Sequence, residues 1–225
     1  MSSAITPTIP PLVDGERLSR EEFHRRYLAM PHVKKAELID GVVHMPSPLR
    51  NSAHALPDQD LAGWIAYYRW QTPGLRGGSN GTIRFLGDNE LQPDAMLMIE
   101  RSHGGQAELD AQGYITGGPE LVAEVAASSL SKDRNKRKRV FQANGVCEYV
   151  LVRTQQGAVD WFILRDDKYE LLTLAEGVYK SEVFPGLWLD PAALLCGDGV
   201  AVLATLQRGL ASAEHAAFVE RLGQP

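Results

Sequence analysis

Apolar and polar residues alternate with two different periods along the chain, which predicts both helices and strands. LSREEFHRRYLAM has helical spacing, begins at Ser19 with Glu22 three residues later, and ends before Pro31. These are the signals of a capped helix. Asp40-Gly41 lies between two apolar arms in KKAELIDGVVHM and predicts a β-hairpin. PDQDLAGWIAYYRWQ predicts a second helix, whose apolar face consists of Leu61, Trp64, Ile65 and Tyr68.

The middle of the chain contains the apolar segments of a buried sheet. Residues 82–86 and 94–99 are predicted as two strands joined by a polar turn, and PELVAEVAAS as a third, buried strand. A helix over residues 132–143 follows, with Ser131 as its N-cap and Asn144-Gly145 as its stop, and then the strand VCEYVLVR. Strand, helix and strand within about 35 residues predict a parallel βαβ unit.

The last third of the chain changes from strands to helices. AVDWFILRDDKYELLTL and GVYKSEVFPGLWL are predicted as antiparallel strands, with a turn at Asp166-Asp167. The chain is predicted to be helical from about Pro191, with Asp190 or Asp198 as caps. The first residues are rich in Pro and Thr and lack periodicity. We therefore expect a flexible N-terminal arm at residues 1–13, a main domain at residues 14–190 and a C-terminal helical appendage at residues 191–225.

The composition is that of an ordinary globular protein. The 225 residues are 44% hydrophobic and 23% charged. Only two cysteines occur, without CxxC spacing, and no apolar run is long enough to cross a membrane. The first residues also lack the pattern of a signal peptide. We therefore expect a cytoplasmic protein with no membrane partner. A net charge of -5 argues against tight binding of DNA by bulk charge and leaves only a local basic patch.

Three acidic residues stand in segments predicted as strands. Asp94 begins an apolar strand, Glu124 interrupts the apolar run LVAEVAA, and Glu37 lies in the first hairpin. A buried carboxylate is costly unless it is paired, protonated or bound to a cation. If the strands of Asp94 and Glu124 are neighbours, the two carboxylates converge at one sheet end and supply oxygen ligands suited to Mg²⁺. The alternative is that each acid lies at a strand edge and faces water.

A basic cluster follows Glu124. The eight residues from Lys132 to Arg139 contain six basic side chains, whereas 17 basic and 27 acidic residues lie outside them. At 100° per residue, a helix places Arg137 on the same face as the apolar pair Val140 and Phe141, with Lys136 on its flank. Arg137 is therefore predicted to face the core, while Arg134, Lys138 and Arg139 turn more to solvent. A solvated helix face remains the alternative explanation of the cluster.

A G-x-S-x-G sequence at Gly77 to Gly81 matches the nucleophile elbow of serine hydrolases. That motif needs a strand before it and a helix after it. Here a Thr-Pro-Gly turn precedes the sequence and a predicted strand follows it. The segment is better explained as a Gly-rich loop before a strand.

Pro93-Asp94, Glu124 in LVAEVAASSLS, Asp133 with the basic helix, NGVCEYVLV and AELIDG occur in an order that resembles the Uma-two family of proposed restriction endonucleases. This family belongs to the PD-(D/E)xK nuclease superfamily, and the resemblance covers about residues 18 to 190. It implies a restriction-endonuclease-like α/β fold, a mixed central β-sheet flanked by helices. It also implies a Mg²⁺-dependent or Mn²⁺-dependent phosphodiesterase site at one sheet end.

The resemblance assigns roles by position. Asp94 is the PD acid and Glu124 the (D/E) acid, both as metal ligands, and Glu37 matches a third acidic position. The superfamily lysine would stand at Ala126, and the lysine on the following helix is replaced by Arg137. Arginine binds phosphate but stays protonated. Lys136 or Lys138 could substitute for the missing lysine, and the direction of the side chains on the helix favours Lys136. Phe141 stands where the family often has tyrosine, which removes a hydroxyl.

Two functional hypotheses follow from these residues. The first is a metal-dependent nuclease that hydrolyses DNA or another nucleic acid, with Asp94, Glu124, Lys136 and Arg137 in the reaction centre. The second is a catalytically impaired nuclease-fold module that binds nucleic acid or has a regulatory role, because the lysine is missing at both family positions. Folds of this class often work as dimers, so a homodimer is a further expectation.

Overall fold

The computed structural model describes residues 9–45, 55–126 and 131–223, and only the backbone of residues 131–134. Residues 1–8 of the predicted arm and the side chains of Ser131, Asp133 and Arg134 lie outside this description. Six α-helices form within it. Their bounds are α1 Arg20–Leu28, α2 Leu56–Gln71, α3 Ser131–Ala143, α4 Pro191–Cys196, α5 Gly199–Leu210 and α6 Ala213–Leu222.

The strands of the described residues form two large sheets and a small ribbon. The first sheet has the order β2-β1-β5-β4-β8-β7, the second β12-β11-β10-β9-β6-β3, and β13 pairs with β14. Both large sheets are mixed, because β4 and β8 are parallel in the first and β9 and β10 in the second. The bounds are β1 Glu37–Ile39, β2 Val42–His44, β3 Leu75–Ser79, β4 Ile83–Phe85, β5 Asn89–Leu91, β6 Ala95–Ile99, β7 Glu108–Leu109, β8 Ile115–Thr116, β9 Leu121–Ala126, β10 Glu148–Arg153, β11 Ala158–Arg165, β12 Lys168–Leu171, β13 Tyr179–Lys180 and β14 Trp188–Leu189.

Local signals in the sequence place several of these elements. The Ser19 hydroxyl accepts a hydrogen bond from the Glu22 backbone N–H at 3.3 Å and caps α1. Asp40 and Gly41 have φ values of 51° and 73°, as a tight β1–β2 hairpin turn requires. The four residues predicted as the apolar face of α2 are all buried. The Asp190 and Asp198 carboxylates cap α4 and α5 by accepting hydrogen bonds from backbone N–H groups at the start of each helix. These predictions are confirmed.

The predicted βαβ unit is formed by β9, α3 and β10. β9 and β10 pair in parallel, with Leu121 opposite Glu148, and α3 is the crossover between them. Val140 and Phe141 are buried on the inner face of α3. Their apolar cluster contains residues from both large sheets, so α3 lies where the two sheets meet. The mixed α/β fold predicted from the sequence is confirmed, and the second large sheet adds to the single central sheet that was expected.

Four strands, β3, β5, β7 and β8, lie where none was predicted. β3 occupies the Gly-rich segment, and its neighbour β6 approaches so closely that a Cβ atom on Gly77 would lie 2.8 Å from the Met96 carbonyl oxygen. Glycine permits this approach but removes the side-chain alternation that would reveal a strand. β5 lies between the strands predicted at residues 82–86 and 94–99, which are therefore not joined by a turn alone. At three residues, β5 is too short to show a period.

The larger core lies between α2, one face of the second sheet and the C-terminal helices. Trp64 of α2 packs edge to face on Trp161 of β11, with ring centroids 5.8 Å apart. Leu206 and Phe218, from α5 and α6, belong to the same buried cluster. The C-terminal helices thus share the main core, and the division into arm, domain and appendage stays a prediction. No helix in the described ranges is long and apolar enough to cross a membrane.

Glu148 holds the segment after β13 against the start of β10. Its side chain is fully buried and accepts hydrogen bonds from the Ser181 hydroxyl at 2.7 Å and from the Glu182 N–H at 2.8 Å. Burial raises the pKa of Glu148 to about 7, although these donors favour the charged form. The folded protein therefore binds a proton that the unfolded chain releases between the ordinary pKa of 4.5 and about 7.

We expect the free energy of unfolding to fall as the pH rises through this window, because the native state must lose a proton that it holds more tightly than the unfolded state does. Over the whole window this loss amounts to at most about 3 kcal/mol. Urea unfolding at several pH values measures it. In Glu148→Gln, which keeps the neutral shape, this pH dependence should be smaller. Equal slopes in the two proteins would contradict the assignment.

Candidate functional site

Asp94 and Glu124 lie side by side at one end of the second sheet. β6 and β9 are antiparallel, with Ala95 opposite Ala123. Continuing this register by one residue places Asp94 opposite Glu124 on the same face. Both side chains are buried, and the Asp94 Oδ2 accepts the Val125 backbone N–H at 2.8 Å. The structure thus brings the two acids together, away from water, as neighbouring strands were expected to do.

Arg137 links these strands to the third predicted acid. Its guanidinium donates through Nε to the Glu124 Oε1 at 2.7 Å, and through its two Nη atoms to Glu124 and to the Glu37 Oε2. Glu37 belongs to the first sheet and Glu124 to the second, so α3 places one cation between an acid of each sheet. The inward orientation predicted for Arg137 is what the structure shows.

The electrostatics of this triad favour the charged form of Arg137. Burial alone would lower the pKa of Arg137, but the charges of Glu124 and Glu37 outweigh it and hold the pKa well above its usual range. The guanidinium therefore stays protonated and cannot serve as a general base. Its single positive charge is shared between two buried carboxylates, and only 15% of its side chain is exposed.

Tyr149 is a member of the site that the sequence did not indicate. Its hydroxyl donates to the Glu124 Oε2 at 2.8 Å. Burial, reinforced by the charge of Glu124, raises the pKa of Tyr149 well above its usual range, so the phenol remains a donor. The centroids of the Phe141 and Tyr149 rings lie 5.2 Å apart. The alternation of side chains along β10 was the available signal for Tyr149. Without the register between β9 and β10, it could not show that Tyr149 reaches Glu124.

Lys35 and Gln92 are two further contacts that were not predicted. The Lys35 Nζ lies 3.2 Å from the Asp94 Oδ1 and 3.5 Å from the Asn80 Oδ1. The Gln92 backbone N–H donates to the Glu37 Oε1 at 2.7 Å. Lys35 stands two residues before Glu37, and Gln92 two before Asp94, so proximity in sequence to the predicted acids was the signal that could have found them.

The other basic residues of α3 differ in their surroundings. Lys136 is half-buried on the flank of Arg137, and its predicted phosphate contact stays a prediction. Lys138 was expected to turn to solvent, but its Nζ lies 3.4 Å above the ring of Phe162. Burial accordingly lowers the pKa of Lys138. Arg139 is exposed. Lys138 therefore packs over an aromatic surface instead of contributing to a free basic face.

The oxygens of the three acids suit a hard divalent cation by their chemistry. In the described ranges, no group of three or more His, Cys, Asp or Glu side chains lies close enough together to hold a metal ion. All six carboxylate oxygens of these acids accept from a protein donor, and Arg137 lies between Glu37 and Glu124. A carboxylate oxygen has a second lone pair, so Asp94 and Glu124 still fit a cation, which would compete with these donors.

The sequence and the structure were both compared with known proteins. A family model described as "Uma2: Putative restriction endonuclease" matches residues 20–192. No curated protein matches the sequence. The structure is similar to a "putative nuclease belonging to DUF820" from Anabaena variabilis ATCC 29413, with a TM-score of 0.58 and 16% identity over 79% of this chain and 99% of that chain.

The similarity in structure shows a nuclease-like α/β fold. The match to the family model covers well over half of the chain, and the chain belongs to the Uma2 family, the Uma-two family that its motifs resembled. Asp94, Glu124 and Arg137 all lie within the matched residues.

Replacing Arg137 tests whether it compensates the buried acids. We expect Arg137→Met to lower the free energy of unfolding by about 3–5 kcal/mol, because Glu37 and Glu124 would remain buried without their cation. Chemical denaturation measures the change.

Arg139→Met is the matched control, since Arg139 lies on the same helix but is exposed, and we expect a change within about 0.5 kcal/mol. Adding Glu124→Gln to Arg137→Met should recover part of the loss. Equal stabilities of the two single variants would show that the buried pairing contributes nothing.

Proposed function

We propose that this protein is a metal-dependent nuclease that hydrolyses phosphodiester bonds of DNA, with Mg²⁺ or Mn²⁺ as its cofactor. The observation that carries the proposal is the placement of Asp94 opposite Glu124, both buried, on neighbouring strands at one sheet end. Membership of the Uma2 family and the nuclease-like fold support it.

Asp94 and Glu124 are the residues that would hold the cation, with Glu37 as the third acid beside them. A cation held there would lower the pKa of a bound water and offset the negative charge of the phosphate. The chain's own contribution is to orient the acids. Val125 fixes Asp94 by its backbone N–H, and Tyr149 fixes Glu124. Arg137 and Lys136 are the proposed phosphate contacts on the helix side.

A specific observation favours the second hypothesis, a catalytically impaired module that binds nucleic acid or regulates. The guanidinium of Arg137 is engaged by Glu124 and Glu37, and Ala126 offers only a methyl group where the superfamily has lysine. In that case the protein would bind nucleic acid in a salt-sensitive manner without metal-dependent cutting. DNA as the substrate class, a homodimer and a cytoplasmic location are likewise parts of our proposal.

Replacing one acid of the site tests the proposed hydrolysis. With Mg²⁺ or Mn²⁺, purified protein should cut supercoiled or single-stranded DNA, and Asp94→Ala or Glu124→Gln should lower the rate by about 10²-fold or more, because each removes a cation ligand. Gel electrophoresis of the products gives the rates.

Glu120→Gln is the control, because Glu120 is a buried acid at the opposite end of β9, where it accepts the backbone N–H groups of Ile99 and Gln106 at 2.9 Å each. It should keep most of the activity in a folded protein. Cutting that survives Asp94→Ala would refute the assigned site. Binding of DNA with no cutting by the wild-type protein would favour the second hypothesis.

A further inference from the structure

The donors that occupy the three acids differ in how readily they could leave. The N–H groups of Val125 and Gln92 belong to the backbone and cannot rotate away. The Tyr149 hydroxyl is buried, and Arg137 serves two acids at once. Lys35 reaches the site from the segment before β1 with a flexible side chain. Among the donors that the described residues supply, Lys35 is therefore the one best able to exchange.

Exposure also separates Lys35 from the rest of the site. Its side chain is 24% exposed, compared with 15% for Arg137 and 9% for Asp94. The Lys35 side chain is thus the most exposed of these three, with its ammonium on Asp94 and the Asn80 side chain.

Before a divalent cation binds, the charges of the site favour a cation at its rim. Three carboxylates face two cations whose contacts with them are described, Arg137 and Lys35. A phosphodiester approaching this end of the sheet would be repelled by the acids unless a cation stood at the rim. Arg137 is buried between its acids, and Lys138 lies over Phe162. Lys35 already combines contact with Asp94 and access to solvent.

We propose that Lys35 is a further phosphate-binding amine of this site, besides the contacts from α3, held on Asp94 until that carboxylate takes a divalent cation and then turned to a phosphate of the nucleic acid. The inference rests on the proposed function, since it names a residue that receives the phosphate there. No bond is made or broken in this exchange. The Lys35 ammonium leaves the Asp94 carboxylate and donates to a phosphate oxygen instead.

Isothermal titration with Mn²⁺ alone tests the first half of the exchange. Lys35→Met keeps the aliphatic stem and removes the charge that competes for Asp94, so it should bind Mn²⁺ about threefold more tightly or better. Lys34→Met is the matched control, because Lys34 is the adjacent lysine, is exposed and carries the same charge. It should leave the Mn²⁺ affinity unchanged. Equal affinities of the Lys35→Met variant and the wild-type protein would overturn the proposal.

Fluorescence anisotropy with a labelled DNA oligonucleotide tests the second half. In Ca²⁺, which takes the same oxygen ligands, Lys35→Met should weaken binding about tenfold, whereas the loss should shrink in EDTA, where Lys35 stays on Asp94. Lys35→Arg should recover much of the binding in Ca²⁺. Lys34→Met should show a small loss that is the same in both solutions. Equal losses for the two methionine variants would reduce Lys35 to part of a diffuse charge and overturn the proposal.

Neither measurement depends on turnover, so the two proposals can fail separately. If the wild-type protein cuts DNA and the cutting depends on Asp94, but Lys35→Met and Lys34→Met bind DNA equally well, the nuclease function stands and the inference about Lys35 is refuted. If the protein does not cut DNA, yet Lys35→Met alone changes the Mn²⁺ affinity and the DNA binding in Ca²⁺, the hydrolytic function is refuted and the exchange stands.

Discussion

The structure depends on the neutralisation of carboxylates that the fold buries at one end of its sheets. Each ionised carboxylate in such a place would cost several kcal/mol without a partner. Arg137 compensates Glu37 and Glu124 together, and because these acids belong to different sheets, its guanidinium also joins the two sheets. The position of α3 between the sheets, with Val140 and Phe141 packed beneath it, is the condition for this pairing.

Strand register sets which side chains reach that pairing. Along β9, Val122 and Glu124 face α3, whereas Ala123 and Val125 face the core built on α2. A slip of one residue would move Glu124 to the other face and place an uncompensated charge among the aromatic residues there. The close contact of β3 with β6, which the absence of a side chain at Gly77 permits, helps to fix the same register at the neighbouring strand.

The sequence predicted the parts that depend on local chemistry. The cap at Ser19, the turn at Asp40-Gly41 and the inward face of Arg137 follow from residues close together in the chain. Glu124 could be singled out as a buried acid because it interrupts an apolar run. Tyr149 was missed because its contact with Glu124 depends on how strands align, which no local pattern encodes. For Lys35 the available signal was its place two residues before Glu37, which does not indicate the contact with Asp94. Much of the first sheet was missed because strands of two or three residues have no measurable period.

The contacts of the site join distant parts of the chain. Glu37 and Arg137 are 100 residues apart, and Lys35 and Asp94 are 59 apart. Closing loops of this length costs chain entropy that local structure does not repay, so we expect these contacts to form after the local ones. The crossover helix and its flanking strands could assemble earlier from their own short-range contacts. The intact cluster of acids would then exist only in molecules that have completed folding.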